Sequence, residues 1–235
     1  MLIDSHCHLD SNKNLDEIIQ RSRSSLEAII SCGHSVESSR QNASIAQKYE
    51  GFVYHVAGVG PQSAMRMKSK DWKIDIPDSA VAIGEIGLDY HWAKTAEEKQ
   101  LQKECFLHFI DLASQTDLPI VIHSRDSQQD VINILDEKRP EKVIWHCFSG
   151  TIEEAKWAIS QGHYISFIPI PSNTRKEIAK LPDAILLVET DAPYIGKFPW
   201  EVEKSVSIIA DSRKEKLEKI GEETRKNAKL AFGID

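Results

Sequence analysis

The chain has few cysteines, no apolar run long enough to cross a bilayer and no excess of positive charge. Each shortage removes a class of protein. Cysteine occurs four times in 235 residues, at Cys7, Cys32, Cys105 and Cys147, and never as a Cys-x-x-Cys pair. A disulfide scaffold is excluded, and a reducing, intracellular setting is expected. Cys7 and Cys147 read as small buried core residues. No stretch approaches the ~18 apolar residues of a membrane span. Leu2 and Ile3 run straight into Asp4 and His6, so no signal peptide is expected. The expected location is cytoplasmic, without membrane contact or an obligate protein partner. The net charge of −7 argues against a simple nucleic-acid-binding module, which carries a basic face. It does not exclude a nuclease, because divalent ions would turn a pocket holding two carboxylates positive. No internal repeat or low-complexity linker interrupts the chain, and its length fits one domain, 1–235.

What is present is a series of eight short apolar runs rich in Ile and Val. They cover residues 2–6, 28–32, 52–59, 81–85, 119–123, 142–146, 164–168 and 185–189. Such runs read as strands buried on both faces. Helical patterns lie between them. Residues 97–116 place Leu101, Cys105, His108, Leu112 and Gln115 on one stripe, with Phe109 and Ala113 beside it. Thr95 with Glu98 forms a capping box before that helix, as Thr151 with Glu154 does before a helix over 151–161 that Gly162 ends. The tail, 213–231, reads as a charged amphipathic helix with Leu217, Ile220, Thr224 and Ala228 inward. Strands alternating with helices imply an α/β fold with a parallel sheet, either a (β/α)8 TIM barrel or a doubly wound open sheet.

Candidate metal ligands decide between the two. His6, His8, Glu85, His123, His146 and Asp191 each stand where an apolar run gives way to polar residues. In an open sheet, at about 4.8 Å per strand, they would be widely spread. A closed barrel brings them to one mouth. Taken singly, each has a plainer explanation. His6 and His8 fit a hydrogen-bonded pair at a strand end, and Glu85 a salt bridge to a barrel cation. Together they point to a metal centre. Pro193 stops any helix after Asp191 and fixes a turn there. Imidazoles with carboxylates suit zinc, manganese, cobalt or nickel better than calcium, and magnesium stands as a further candidate ion. Six ligands exceed the need of one catalytic ion, so two divalent ions are expected. Such a pair lowers the pKa of bound water towards ~7. Asp191 would take the proton or orient the nucleophile.

At these residues the chain resembles the TatD-related metal-dependent deoxyribonucleases of the amidohydrolase superfamily. The matching stretches are Asp4-Ser5-His6-Cys7-His8-Leu9-Asp10, Gly84-Glu85-Ile86-Gly87-Leu88-Asp89-Tyr90, His123-Ser124-Arg125-Asp126, His146-Cys147-Phe148-Ser149-Gly150 and Glu189-Thr190-Asp191-Ala192-Pro193-Tyr194. The end, Asn227 to Gly233, also looks like the family's closing segment. The resemblance implies a (β/α)8 fold and a two-metal site. It places His6 and His8 on one ion, Glu85 bridging, His123 and His146 on the other, and Asp191 as ligand and base. Glu85 and Asp191 are thus the implied catalytic pair. It also implies deoxyribonuclease activity, often trimming 3′ ends. Two segments depart from the family pattern. Gly58-Val59-Gly60-Pro61-Gln62 stands where the family usually has Gly-x-His-Pro-His, and Lys197-Phe198-Pro199-Trp200-Glu201 where it carries Arg-Asn-x-Pro.

The candidate substrate contacts are Arg125, His91, Trp92 and Lys197. Arg125 reads equally as a phosphate holder or as an ion-pair partner of Asp126. His91 and Trp92 read as base-stacking groups or as an aromatic lid. Lys197 would replace charge lost from the shortened loop. His34 is a candidate at the rim, and His55, His108 and His163 read as structural. The implied partner is a DNA end or another small phosphodiester or ester. The competing functions are hydrolysis of an amide, lactone, ester or aminoacyl-tRNA bond, and a barrel scaffold without turnover.

Overall fold

The computed structural model describes residues 1–67, 72 and 74–235. Eight strands occur in one sheet: β1 (Leu2–Cys7), β2 (Leu26–Cys32), β3 (Val53–Ala57), β4 (Ala80–Asp89), β5 (Ile120–Arg125), β6 (Val143–Trp145), β7 (Tyr164–Phe167) and β8 (Ile185–Val188). The sheet order is β1 to β8, with each pair of neighbouring strands parallel. The helices among the described residues are α1 (Leu15–Ser22), α2 (Val36–Lys48), α3 (Pro61–Arg66), α4 (Ala96–Ala113), α5 (Gln128–Lys138), α6 (Ile152–Ser160), α7 (Asn173–Ala179), α8 (Val202–Arg213) and α9 (Leu217–Phe232). This is a (β/α)8 barrel, not an open sheet.

The seam between β8 and β1 closes in its own way. Ladders join each strand to the next from β1 to β8, whereas the last gap is bridged just beyond β8. There Asp191 N–H donates to the His6 carbonyl at 2.9 Å and His8 N–H to the Ala192 carbonyl at 2.7 Å. The Asp4 carboxylate adds two bonds, from Thr190 N–H at 2.9 Å and from its hydroxyl at 2.5 Å. Asp4 is fully buried, and burial pushes its carboxyl well above the usual range despite the Thr190 bonds that pull it down.

The barrel interior holds Ile3, Ile30, Val56, Val121, Ile144 and Leu187. Side chains alternate along a strand, so the parity that buries Val121 and Ile144 carries His123 and His146 into the interior above them. Ala228, Ala231 and Phe232 of α9 join the same cluster and cover its lower end. A larger apolar layer lies between the strands and the outer helices.

The capping boxes at Thr95 and Thr151 both form, each hydroxyl accepting from the third residue's N–H. Three expectations need correction. The buried face of α4 is Gln102, Cys105, Phe106, Phe109, Ile110 and Ala113, so His108 and Gln115 are exposed. Gln102 turns inward because its amide bonds the Asp89 backbone twice, at 2.9 and 3.2 Å. The tail helix starts at Leu217 rather than at Arg213, because Lys214 adopts a left-handed conformation (φ 56°) that ends the preceding helix α8 at Arg213; Ile220, Thr224 and Ala228 are buried as expected. Glu85 does not end its strand. It lies in a register irregularity between Ile83 and Ile86, and β4 continues to Asp89.

Gly87 shows how tightly β4 and β5 are joined. It has φ 133°, and a Cβ there would lie 2.1 Å from the His123 carbonyl oxygen. Gly87→Ala is therefore expected to destabilise the protein by about 3 kcal/mol, from overpacking and backbone strain together. A urea-unfolding midpoint measured on chelated protein checks this, and an unchanged midpoint would contradict it.

Candidate metal centre

The six predicted ligands meet at the carboxyl end of the barrel. His6 and His8 come from the end of β1 and the residue after it. Their Nε2 atoms lie 3.2 Å apart. Asp191 Oδ1 lies 3.3 Å from His8 Nε2 and 3.9 Å from His6 Nε2. Glu85 Oε2 lies 3.7 Å from both imidazoles. The other Glu85 oxygen faces the second half, 2.7 Å from His123 Nδ1 and 4.0 Å from His146 Nε2. Two ligand triads result: His6, His8 and Asp191, then Glu85, His123 and His146. His8 and Asp191 stand on one rim.

This geometry fits divalent cations. Two ring nitrogens aimed at each other, with an acceptor beside them, leave electron pairs that the protein itself does not satisfy. Asp191 Oδ1 is buried and accepts no hydrogen bond. Such a group is costly unless an external partner meets it. Asp191 itself takes a left-handed conformation (φ 50°), and its carbonyl accepts from Tyr194 and Ile195 N–H at 2.8 and 3.0 Å. That turn holds the carboxylate over the mouth.

Outer groups fix the rings. His8 Nδ1 bonds the Cys32 carbonyl at 2.8 Å, which leaves Nε2 for an ion. His123 Nε2 rests 3.2 Å from Asp89 Oδ2. His146 Nδ1 lies 2.9 Å from Glu189 Oε1, although off the hydrogen-bond axis. Charge follows these contacts. Burial would lower His146, but Glu189 and Glu85 outweigh it and raise the ring to about 10. His123 is likewise raised to about 9, burial being overcome by Asp89 and Glu85. His6 goes the other way, well down, through burial and the neighbouring imidazoles. Burial opposes ionisation of Glu85, yet the histidines around it hold its pKa well below the usual range.

At pH 7 the metal-free centre therefore carries protons on His123 and His146 that a cation must displace. Zinc uptake should release about two protons at pH 7, and affinity should rise with pH. Calorimetry in buffers of different ionisation enthalpy measures the release. Proton-neutral uptake would show that these rings are already deprotonated.

Comparison with known proteins gives the family. The family model described as TatD related DNase matches residues 3–233. The chain belongs to that family. The Bacillus subtilis metal-dependent hydrolase YabD is 33% identical, with both chains covered completely. The human deoxyribonuclease TATDN3 is 30% identical over 98% of this chain and 94% of its own. The crystal structure of YJJV, an Escherichia coli TatD homologue, superposes with a TM-score of 0.84 at 23% identity, covering 100% of this chain and 98% of that one. The chain is thus a TatD-family member of the metal-dependent hydrolase kind. Among its described residues no helix is long and apolar enough to cross a membrane.

The two segments that depart from the usual TatD pattern have definite places. Gln62 helps to hold the pKa of Asp89, the carboxylate that backs His123, below its ordinary value. Lys197 is exposed, its ammonium 5.3 Å from the Phe198 ring centre. Arg125 is exposed at the end of β5. Asp126 faces His91, at 3.7 Å from Nδ1. Trp92 is 52% exposed and meets His91 edge to face at 5.0 Å. Sequence reasoning passes over Tyr194, 60% exposed, whose ring lies 5.0 Å from that of His8. Together with Ile170 and Ile195, these exposed side chains sit in the loops after β4, β7 and β8. His34 lies in the loop after β2, its ring 5.3 Å from that of His8. His55 bonds Ser79, and His163 accepts from Trp145, both away from the ligands. Cys7 is buried as expected, whereas Cys147 is only half-buried.

Sequence reasoning also misses three buried carboxylates, Asp4, Asp89 and Glu189. Glu189 had an available signal, for it follows the apolar run of β8 as Glu85 follows that of β4.

Proposed function

We propose that this TatD-family hydrolase cleaves phosphodiester bonds at DNA ends, with two divalent ions in the barrel mouth. The deciding observation is the paired arrangement around Glu85, whose two oxygens face separate ligand triads. When bound, the ions supply a water of lowered pKa and Lewis acidity towards a phosphoryl oxygen. The chain does the rest. His6, His8 and Asp191 would hold one ion, His123 and His146 the other, with Glu85 between the two triads. The Asp191 carboxylate would take the proton of the attacking water. Arg125, at the end of β5, attracts the phosphate, and Lys197 adds charge from the loop after β8. Trp92, His91 and Tyr194 offer ring faces to unpaired bases. The name deoxyribonuclease borne by human TATDN3, 30% identical, supports this choice of substrate.

The test uses metal-loaded protein with single-stranded DNA labelled at the 3′ or the 5′ end. Carboxylic esters and lactones are assayed beside it, each with a chelated control. Metal-dependent loss of the 3′ label first is the expected result. Turnover of esters or lactones with intact DNA would replace the nuclease reading with the carboxyl-ester one. Zinc, manganese, cobalt, nickel and magnesium are tried in turn.

A further inference from the structure

The Glu189 side chain is not accounted for by the roles above. It is completely buried, at the barrel end where β8 gives way to the mouth. Oε1 accepts from Cys147 N–H at 2.7 Å and lies 2.9 Å from His146 Nδ1. Oε2 is buried and has no partner. His6 Nδ1 and His146 Nδ1 are buried and unbonded as well. The three residues offer ligand-type atoms within 4.8 Å of one another.

The rings explain why these atoms gather. His6 and His146 stack with centres 3.6 Å apart and planes 19° apart. Both Nε2 atoms face Glu85, at 3.7 and 4.0 Å. Two parallel rings that share one outlook on the Nε2 side also share one on the Nδ1 side, and Glu189 is there. His6 belongs to the first triad and His146 to the second. A carboxylate with two acceptor oxygens thus stands behind one ligand of each. Leaving a buried acceptor and two buried donors unmet is costly, and small movements, or one bridging water, would meet all three.

We propose that Glu189 is a positioning residue shared by both halves of the centre, taking the Nδ1 protons of His6 and His146 as hydrogen bonds so that both rings present Nε2 to the ions. Glu85 stands between the two triads from within, and Glu189 stands behind one histidine of each. The proposal rests on the metal-centre reading above, but not on the substrate.

Glu189→Gln is the informative variant. Glutamine keeps the shape but offers one acceptor oxygen and an NH2 group. The NH2 must face one of the two Nδ1–H groups, donor against donor, and push that ring to its other tautomer. The full chain is titrated with zinc alone by calorimetry, and the imidazole tautomers of zinc-loaded protein are read by long-range 1H–15N NMR. Ser166→Ala serves as a buried control, since the Ser166 hydroxyl pairs with that of Ser5 at 3.1 Å.

In the unmodified protein both rings should carry hydrogen on Nδ1. The Glu189→Gln protein should lose about 10- to 100-fold in zinc affinity and show one ring changed in tautomer, with the control unaffected. Either ring protonated at Nε2 in the zinc-loaded unmodified protein overturns the proposal, even if the variant does not fold. So does an affinity loss without a tautomer change, or an equal loss in Ser166→Ala. Absence of zinc uptake by the unmodified protein is a separate result, which removes the metal-centre reading itself.

Discussion

Replacing Asp191 by asparagine is expected to reduce kcat for metal-dependent hydrolysis by about 10²- to 10⁴-fold, with a smaller loss of ion affinity. Asparagine keeps an oxygen for the ion but cannot take a proton. The substitution suits the backbone too. Asp191 sits at φ 50°, and asparagine visits the left-handed region more readily than most residues. The turn that draws Tyr194 and Ile195 N–H to the residue 191 carbonyl is therefore preserved. Steady-state kinetics at saturating manganese, with ion content measured on the same sample, separates the two effects. An undiminished kcat would remove Asp191 as the proton acceptor.

The second large effect concerns the metal-free protein. Glu85→Gln should destabilise it by about 3–5 kcal/mol near neutral pH, the range for breaking a buried ion pair. The Glu85 carboxylate is buried among His6, His8, His123 and His146, with His123 Nδ1 only 2.7 Å away. A neutral amide leaves the protonated His123 and His146 without that compensation. The pH dependence has a definite sign. His123 is raised from an ordinary 6.5 to about 9, so its contribution is fully present below 6.5 and is lost as pH rises through about 9. His146 is raised to about 10, so the gap between the two proteins should be widest near pH 6 and close only above about pH 10. Urea denaturation of chelated samples across that range measures it. Coincident midpoints at pH 6 would show that Glu85 does not carry the charge balance.

Much of the barrel is legible from local signals. Apolar runs find all eight strands to within a few residues, because buried parallel strands need apolar side chains on both faces. Thr95 and Thr151 announce their helices because a capping box is complete within four residues. What escapes the sequence depends on distant partners. Gln102 looks like a solvent residue until Asp89 is placed beside it. The break between α8 and α9 falls on Lys214, a left-handed lysine with no glycine or proline to mark it. Glu85 seems to close a strand because the irregularity that displaces it is a relation between β4 and β5. The ligands stand out because histidines at strand ends are unusual. Of the carboxylates behind them, Asp4 is concealed inside an apolar run, and Asp89 lies beyond the run that marks its strand.

The seam of the barrel has a further consequence. The bonds that join β8 to β1 involve His6, His8, Thr190, Asp191 and Ala192, several of them candidate ligands. A cation held there would clip together positions far apart in the chain, as a crosslink does, and restrict the unfolded ensemble by closing a long loop. Local opening of the cylinder and escape of such a cation would then be one event, with the candidate centre placed where the first and last strands of the sheet are fastened.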